Sequence, residues 1–415
     1  MNIIKHKALF LLFFFALTVN AYAQRDSLDI KIGQMILIGF PGTTVDAKVL
    51  EEVRSGKVGT LIIFEKNIPP ANSFIALKKI IWTYQQAATI PLFIGIDQEG
   101  GRVNRLKSKY GFPNSITAVA MADAHSLDSV RLYAEAMAST LAGLGININF
   151  APVVDLATNP TNPIIAKYGR AFSASEDTVT RYAKEFIRQH HKYNVLTSLK
   201  HFPGHGSSKD DTHLGIADVT NTWNEKELIP YRALIDSGYV DAVMTSHIVN
   251  KNLDKKGNPG TLSTDILNGI LRKRLGFNGV VFSDDMQMQA IAKNYGLEET
   301  VKLAILAGVD IMTFSNNISG SEERTVDKVH QVIKALVTQN QIPISRIDES
   351  YRRIMILKRR LTADPNEEYR GQLTILKTES QAREQKLVAE NAVLIQQLKT
   401  LQEAQSTSTK KKKKH

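Results

Sequence analysis

The sequence predicts an α/β fold, a (β/α)8 TIM-like barrel that continues into a C-terminal helical extension. Three observations support this fold class. Eight short apolar runs recur along the 415 residues, helix-like segments separate them, and polar residues stand where the runs end. The runs are almost continuously apolar rather than alternating, as is typical of parallel strands that helices cover on both faces.

The eight predicted strands are rich in β-branched residues and are bounded by turn residues. Several of the helix-like segments between them begin on Ser, Thr or Asn and end near Gly, which are the usual capping residues. A last predicted helix, 345–361, completes the barrel. The predicted strands are 32–40, 59–64, 91–97, 146–155, 195–202, 241–248, 278–285 and 308–314, and the longer predicted helices between them are 126–145, 176–193, 224–238 and 263–276.

The polar residues at the strand ends distinguish a barrel from its main competitor, an open doubly wound sheet. In a barrel the C-terminal ends of all eight strands meet at one mouth, where active sites are built. No G-x-G-x-x-G motif follows a strand and no GxxxxGK[ST] motif occurs, so nucleotide binding has no support in the sequence. We therefore expect one pocket to collect the strand-end residues Asp97, Asp155, Lys200, His201, His247, Asp284 and Asp285.

The N-terminal segment predicts export. A basic start precedes the apolar run 8–19 and an Ala-Tyr-Ala cleavage signal ends at Ala23, a pattern typical of a secretory signal peptide over 1–23. The apolar run is shorter than the roughly 18 residues that a spanning helix needs. We expect a periplasmic or extracellular protein with no membrane span after cleavage, whose barrel occupies 24–362.

The chain beyond the barrel has a different composition, with neither Gly nor Pro from Gln372 to Gln405. We predict a helical extension over 363–405, either packed against the barrel or forming a short coiled coil. A disordered, lysine-rich tail follows at 406–415. The leucines that recur near helical spacing in the extension are Leu387, Leu394, Leu398 and Leu401.

The charge and the cysteine content exclude some classes of partner and chemistry. Removing Lys5, Lys7 and the five lysines Lys410–Lys414 from the net charge of +11 leaves +4, so the body of the chain is not predicted to bind nucleic acid. The chain has no cysteine, which excludes disulfides, thiolate nucleophiles and cysteine-bound zinc. An exported form must then be stable through core packing alone.

The stretch KHFPGHGSSKDDTH, 200–213, holds three of the ten histidines. Histidine and aspartate bind metal ions, but a proline and two glycines break any helix that would align them here, so a metal site is the weaker interpretation. Asp211 and His213 are two residues apart in a polar loop. A carboxylate that accepts a hydrogen bond from an imidazole fixes its tautomer and favours its protonated form, which suits a general acid/base.

The stretch NGVVFSDDMQM places two carboxylates at the tip of a buried strand. A carboxylate that faces a barrel mouth is a candidate nucleophile for glycosyl transfer. We assign this role to Asp284 and expect Asp285 to cap the following helix. A convergent set of charged donors and acceptors suits a polyhydroxylated ligand, and the predicted set is Asp97, Arg105, Arg170, Lys200 and His201.

Four motifs occur in one order along the chain: DQEGGRV, NFAPVVD, KHFPGHG with D-x-H five residues later, and VVFSDDMQM. In this the sequence from about Leu28 to Leu361 resembles glycoside hydrolase family 3, most closely its β-N-acetylglucosaminidase branch. The resemblance implies a TIM-like barrel that removes terminal, non-reducing β-linked N-acetylglucosamine with net retention and without a metal or other cofactor. The natural substrates would be peptidoglycan fragments or chitooligosaccharides.

The resemblance also implies residue roles. Asp284 is the nucleophile, and His213, supported by Asp211, is the acid/base on a mobile loop. The sugar-binding positions match Asp97, Arg105, Arg170, Lys200 and His201. The sequence departs from the branch at Ala171, where serine is commoner, and it stops where many members continue into an α/β sandwich domain, so the chain is either a barrel-only form or truncated.

Several alternatives to this function stay open. Typical β-glucosidases of the family take a carboxylic acid from a second domain, so the D-x-H loop favours the N-acetylglucosaminidase branch. Phosphorolysis is a rival because an imidazole tolerates an incoming phosphate better than a carboxylate does. A pair of adjacent aspartates also serves glycosidases in which the substrate's own acetamido group attacks. A non-catalytic sugar-binding barrel is the remaining alternative, and the sequence predicts no oligomeric state.

Overall fold

A computed structural model describes residues 27–123, 126–317 and 326–362. Eight parallel strands, joined in chain order, close into a barrel, because the first strand pairs with both the second and the last. The predicted fold class is confirmed. The strands are β1 Ile36–Gly39, β2 Thr60–Ile63, β3 Phe93–Ile96, β4 Ile148–Asn149, β5 Leu196–Phe202, β6 Ala242–Thr245, β7 Val280–Asp285 and β8 Ile311–Phe314.

Helices lie between successive strands, and the segment between β6 and β7 forms a π-helix, Asp265–Arg274, rather than an α-helix. The predicted signal peptide 1–23, the C-terminal helical extension 363–405 and the tail 406–415 lie outside the described residues. The α-helices are α1 Leu28–Gln34, α2 Ala47–Arg54, α3 Ser73–Ala87, α4 Ala118–Asp123, α5 Leu127–Leu144, α6 Glu176–His191, α7 Ile229–Asp236, α8 Gln289–Ala292, α9 Leu297–Ala307, α10 Val326–Thr338 and α11 Ile344–Thr362.

The capping residues in the sequence explain where the long helices begin and end. The hydroxyl of Ser126 accepts a hydrogen bond from the amide of Asp128 and starts α5. Gly145 ends that helix with φ +88°, a left-handed conformation that glycine adopts without steric cost. Ser175 caps α6 in the same way as Ser126 caps α5, by accepting from the amide of Thr178.

Aromatic side chains fill the barrel. Phe282 of β7 packs edge-on against Phe93 of β3 and against Phe150, with ring centroids 6.3 Å and 5.2 Å apart. Gly95 faces this cluster, since a Cβ there would meet the ring of Phe150 at 2.6 Å. The glycine in the motif IGID is therefore needed for packing.

All eight strands are shorter in the structure than predicted, and two of them differ most. Residues 32–34 of the run 32–40 complete α1, so β1 begins at Ile36. The run 146–155 yields only β4, because the chain leaves the regular ladder and Pro152 has no amide N–H to donate. A single parallel bridge then joins Val153 to Lys200. Asp155 consequently lies six residues beyond its strand rather than at its tip.

The base of the barrel, at the N-terminal ends of the strands, also buries charge. Asp310 precedes β8 and is fully buried. Its carboxylate pairs with Arg272 of the π-helix at 2.7 Å and with Arg346 and Arg353 of α11 at 3.1 Å and 3.4 Å. The cluster fastens two helices to the barrel. The buried side chain of Lys358, also on α11, donates hydrogen bonds to Gln34 and to the carbonyl oxygen of Gly59.

None of the helices within the described ranges combines the length and the apolar character that crossing a membrane requires.

Candidate active site

A cavity of about 580 Å³, counting the open space at its rim, lies at the C-terminal ends of the strands. Seven of the eight predicted site residues line it, drawn from the ends of β3, β5 and β7 and from the loops after β3, β4 and β5. The eighth, Asp211, does not line the cavity but pairs with His213, which does. The lining residues are Asp97, Glu99, Val103, Arg105, Ile164, Arg170, Lys200, His201, His205, Thr212, His213, Met244 and Asp284.

Asp284 stands at the end of β7, and its partly exposed side chain faces the cavity. Its Oδ1 accepts a hydrogen bond from the amide of Asp285 at 2.8 Å, which fixes the carboxylate. Burial alone would raise the pKa of Asp284, but the imidazoles of His247, His201 and His213 outweigh burial, and its pKa lies below the ordinary value. An ionised carboxylate at this position can act as a nucleophile.

Asp211 and His213 form a pair on the loop between β5 and α7. The imidazole Nδ1 of His213 lies 2.7 Å from Oδ1 of Asp211, which also accepts the backbone amide of His213 at 2.8 Å. The His213 side chain is 51 % exposed and lines the cavity. The hydrogen bond that His213 donates to Asp211 raises the pKa of His213 above its ordinary value, against the opposing effect of partial burial.

Lys200 anchors a charged network on the floor of the cavity. Its ammonium group, on a side chain only 2 % exposed, lies 2.8 Å from Asp97 and 2.6 Å from Glu99. Burial would raise the pKa of Asp97, but Lys200 and Arg105 outweigh burial and hold the pKa below its ordinary value. Arg105 approaches Asp97 at 3.4 Å and lies 5.5 Å from the ring centroid of Phe64. Ionic partners thus hold every charge on the floor.

Arg170 extends this network toward β5. Its guanidinium makes two parallel hydrogen bonds to Glu99, both 2.8 Å, and approaches the Nε2 of His201 at 3.2 Å. Burial would raise the pKa of Glu99, but Arg170 and Lys200 hold it well below the ordinary range. The Nδ1 of His201 lies 2.7 Å from the buried carboxylate of Asp155. These contacts orient Arg170 and His201 before any ligand arrives.

Three strand-end residues that we expected in the pocket do not line it. His247 is fully buried, with its ring nitrogens 2.8 Å from the Thr261 hydroxyl and 2.9 Å from the carbonyl oxygen of Asp285. Asp155 lies behind His201.

Asp285 accepts hydrogen bonds from the amide of Gln287, in the turn before α8, and from the Ser315 hydroxyl. It does not cap the helix, so the predicted capping role is wrong. Burial raises the pKa of Asp285 to about 6. Asp155 and Asp285 each contact a lining residue, His201 and Asp284 respectively, while His247 contacts the backbone of Asp285.

Sequence reasoning missed several lining residues, and Glu99 is the most consequential. Glu99 follows Asp97 by two residues in the same turn. This short distance from a predicted sugar-binding carboxylate was the signal by which the sequence could have indicated Glu99. His205 and Thr212 also line the cavity, and their side chains approach each other at 3.4 Å. Burial lowers the pKa of His205 to about 4, so the imidazole is neutral. Met244 is apolar and lies within a strand, so the sequence did not distinguish it from a core residue.

In the described part of the chain, no three His, Asp or Glu side chains are grouped so as to hold a metal ion. The carboxylates at the mouth are instead satisfied by lysine, arginine and histidine. What the arrangement offers chemically is an ionised carboxylate at Asp284, an imidazole of raised pKa at His213 and a shell of fixed donors and acceptors.

Comparison with known families agrees with this chemistry. The family described as "Glycosyl hydrolase family 3 N terminal domain" matches residues 27–357. The family resemblance predicted from the motifs is thereby confirmed. A beta-hexosaminidase of Tolumonas auensis is 34 % identical over 289 residues, 69 % of this chain and 84 % of the relative. A beta-hexosaminidase of Xylella fastidiosa is 36 % identical over 285 residues, 67 % of this chain and 82 % of the relative.

Solved structures show the same likeness. A family 3 beta-N-acetylglucosaminidase from Paenibacillus sp. superposes with a TM-score of 0.75 at 33 % identity, over 82 % of this chain and 63 % of that one. The chain therefore spans less than two thirds of the Paenibacillus protein. A beta-N-acetylhexosaminidase from Beutenbergia cavernae superposes with a TM-score of 0.72 at 27 % identity, over 80 % of this chain and 98 % of that one.

Proposed function

This chain belongs to glycosyl hydrolase family 3, and we propose that it is an exported, retaining exo-β-N-acetylglucosaminidase. It would release terminal, non-reducing β-linked N-acetylglucosamine through a covalent glycosyl-Asp284 intermediate. One observation carries the proposal: Asp284 and His213 line one cavity, and their surroundings lower the pKa of the first and raise the pKa of the second. Near neutral pH Asp284 is an anion, while His213 can carry a proton.

The reaction proceeds in two steps. His213 protonates the leaving oxygen while a carboxylate oxygen of Asp284 attacks the anomeric carbon, so one C–O bond forms as the other breaks. His213, now neutral, takes a proton from water, and the water oxygen displaces Asp284 to release the sugar. Asp284 attacks from the face opposite the leaving group, and water then enters from the face that the leaving group vacated. The two inversions give net retention. An imidazole also avoids placing a second anion beside Asp284 and the developing cationic sugar.

The charged floor supplies sugar recognition. Sugar hydroxyls donate hydrogen bonds to the carboxylates of Asp97 and Glu99. The hydroxyl oxygens accept hydrogen bonds from Lys200, Arg105 and Arg170. Because ion pairs already hold these groups, little side-chain freedom is lost when the sugar binds. Glu99, His201 and the carbonyl oxygen of Ile164 together take four of the five N–H groups of the Arg170 guanidinium, which leaves one for a ligand.

The proposals about which sugar and which aglycone the protein takes rest on less direct support. The names of the relatives support an acetamido sugar. The apolar run and cleavage signal at 1–23 support export, which favours peptidoglycan fragments or chitooligosaccharides as natural substrates. Cell fractionation followed by N-terminal sequencing tests export. We expect the protein in the extracytoplasmic fraction without residues 1–23, and recovery from the cytoplasm alone would contradict export. Comparing kcat/KM for muropeptides and for chitobiose would rank the two substrate classes.

The primary test is hydrolysis of a chromogenic β-N-acetylglucosaminide against the matching β-glucoside. We expect a clear preference for the acetamido sugar. Equal rates, or a preference for the glucoside, would favour the β-glucosidase alternative. No turnover of either sugar, with the protein folded, would favour the non-catalytic sugar-binding barrel.

Two further measurements separate the chemical alternatives. A 5-fluoro glycosyl fluoride should leave a stable adduct on Asp284, which attack by the substrate's own acetamido group would not give. Turnover in the presence of phosphate should release free sugar. The appearance of sugar 1-phosphate instead would identify a phosphorylase, a reaction that the His213 acid/base also permits.

A further inference from the structure

A buried glutamate lies behind the candidate active site and takes no part in the two proposed steps. Glu227 belongs to the short 3-10 helix Glu225–Leu228 and is 1 % exposed. Its Oε2 accepts a hydrogen bond from the amide of Leu156 at 3.0 Å. The amides of Gly206 and Ser207 also face this carboxyl group. One carboxyl group therefore contacts two separate loops.

Both loops lead directly into the active site. Leu156 follows Asp155, whose carboxylate oxygens hold the imidazole of His201 at 2.7 Å and the amide of His205 at 2.8 Å. The other loop leaves β5 through residues 204–208 and then reaches His213. A shift of either loop at Glu227 would displace a side chain that lines the cavity.

The packing around Glu227 leaves little room for adjustment. A Cβ on Gly206 would meet the carbonyl oxygen of Leu156 at 1.7 Å. A Cβ on Gly204, which has φ +115°, would meet the Cβ of Glu227 at 2.5 Å. On the opposite side, the amide group of Asn162 donates to the carbonyl oxygen of Gly206 at 3.2 Å. The start of the acid/base loop is thus held between Asn162 and Glu227.

We infer that Glu227 is a positioning residue for the hydrolysis, because its buried carboxyl group fixes the start of the loop that presents His213 to the leaving oxygen. The inference rests on the proposed function, since it assigns Glu227 a part in the proton transfer by His213. Glu227 itself touches neither the substrate cavity nor the reacting atoms.

The surroundings of Glu227 favour its neutral form. Within the described ranges no cation pairs with it, and its Oε1 accepts no hydrogen bond of regular geometry. The titratable groups that face it are Asp155 and the phenol of Tyr231. Burial, reinforced by the charge of Asp155, raises the pKa of Glu227 to about 8. A neutral carboxylic acid keeps a carbonyl oxygen for the amide of Leu156, and glutamine has the same oxygen.

The test compares Glu227→Ala and Glu227→Gln with the wild-type protein and with a matched control, Glu225→Ala. Glu225 lies on the same 3-10 helix, but its side chain is 64 % exposed and pairs with Arg274 at the surface. The readout is kcat/KM for aryl β-N-acetylglucosaminides with a poor and with an activated leaving group. Only the poor leaving group depends strongly on the proton from His213.

We expect Glu227→Ala to lower kcat/KM by ~10–100-fold for the poor leaving group and by less than about 3-fold for the activated one, because only part of the acid/base contribution is lost. Glu227→Gln and Glu225→Ala should stay within about 3-fold of the wild type for both substrates. Equal losses for both leaving groups in Glu227→Ala, or no loss for either, would overturn the inference.

A second measurement applies if Glu227→Ala does not fold. In the wild type, the folded state keeps a proton on Glu227 that the unfolded state releases above its ordinary pKa of 4.5. The free energy of unfolding should therefore fall, relative to Glu227→Gln, as the pH rises from about 4.5 to about 8, and then level off. Parallel pH profiles would show that Glu227 is ionised in the folded state, so that glutamine would not reproduce it. In that case an unchanged leaving-group dependence in Glu227→Gln would overturn the inference. A wild type without glycosidase activity would instead refute the proposed function.

Discussion

The two ends of the barrel bury charged side chains in different ways. At the base, the carboxylate of Asp310 is enclosed by Arg272, Arg346 and Arg353, and its exposure is 0 %. At the mouth, the carboxylate of Asp97 is paired just as fully, with Lys200 and Arg105, yet it still lines a cavity. Burial and ion pairing alone do not mark an active site. What distinguishes the ion pairs of Asp97 with Lys200 and Arg105 is that they are open on one side, where a ligand can reach their unused donors and acceptors.

The nucleophile gives the largest expected difference between the two ends. Asp284→Asn should lower kcat/KM by at least ~10³-fold, since an amide cannot attack the anomeric carbon. The melting temperature should change little, because an asparagine of the same shape can still accept from the amide of Asp285. The measurement is hydrolysis of the chromogenic substrate beside a thermal melt. A folded variant with wild-type activity would remove Asp284 from the mechanism.

The acid/base residue should give the next largest effect. His213→Ala should lower kcat/KM by ~10²–10⁴-fold, the usual contribution of one acid/base group. The control is Leu214→Ala, which truncates the neighbouring side chain, 74 % exposed, on the same loop. Activity should survive in the control. If both variants lost activity alike, the loop rather than the imidazole would be responsible.

The base of the barrel should respond in the opposite way. Asp310→Asn leaves three buried arginines without their shared anion and should cost about 3–5 kcal/mol of unfolding free energy. At a temperature where the variant is folded, its kcat/KM should match the wild type. Urea unfolding and initial rates measure the two quantities.

The control for the base is Asp348→Asn. Asp348 is about half exposed and pairs with Lys31 at the surface. Exposed pairs contribute less than about 1 kcal/mol, so this variant should be nearly as stable as the wild type. A large loss of activity in folded Asp310→Asn would show that the two ends are coupled, and the comparison between them would fail.

The same comparison explains how much the sequence could predict. Strand ends of a parallel barrel must converge, so the motifs at Asp97, Lys200 and Asp284 could be assigned to one mouth without coordinates. The roles of the proposed site residues remain predictions until the variants are measured. Glu99 could have been found from its distance to Asp97 along the chain.

The supporting residues could not have been found in this way. Glu227 holds Leu156, which is 71 residues away, and Asp310 holds helices that start and end far from it in the sequence. Such contacts depend on how loops and helices pack, and no local pattern records them. His247 shows the opposite failure, because it occupies a strand end but turns into the core between Thr261 and Asp285.

The smallest effect that we expect is a change in the pH profile at the mouth. The first step needs an ionised Asp284 and a protonated His213. The acid limb of kcat/KM should therefore lie below the ordinary pKa of an aspartate, and the alkaline limb above that of a histidine. Asp211→Asn removes the anion that raises the pKa of His213, so the alkaline limb should move to lower pH while the acid limb stays in place.

Asp210→Asn is the matched control for this profile, since Asp210 is an exposed carboxylate on the same loop that makes no hydrogen bond to His213. Its profile should superpose on that of the wild type. If Asp211→Asn left the alkaline limb unmoved, His213 would not owe its protonation to Asp211. If it moved the acid limb instead, the carboxylate of Asp211 would be acting on Asp284, and the two proposed roles would have to be separated differently.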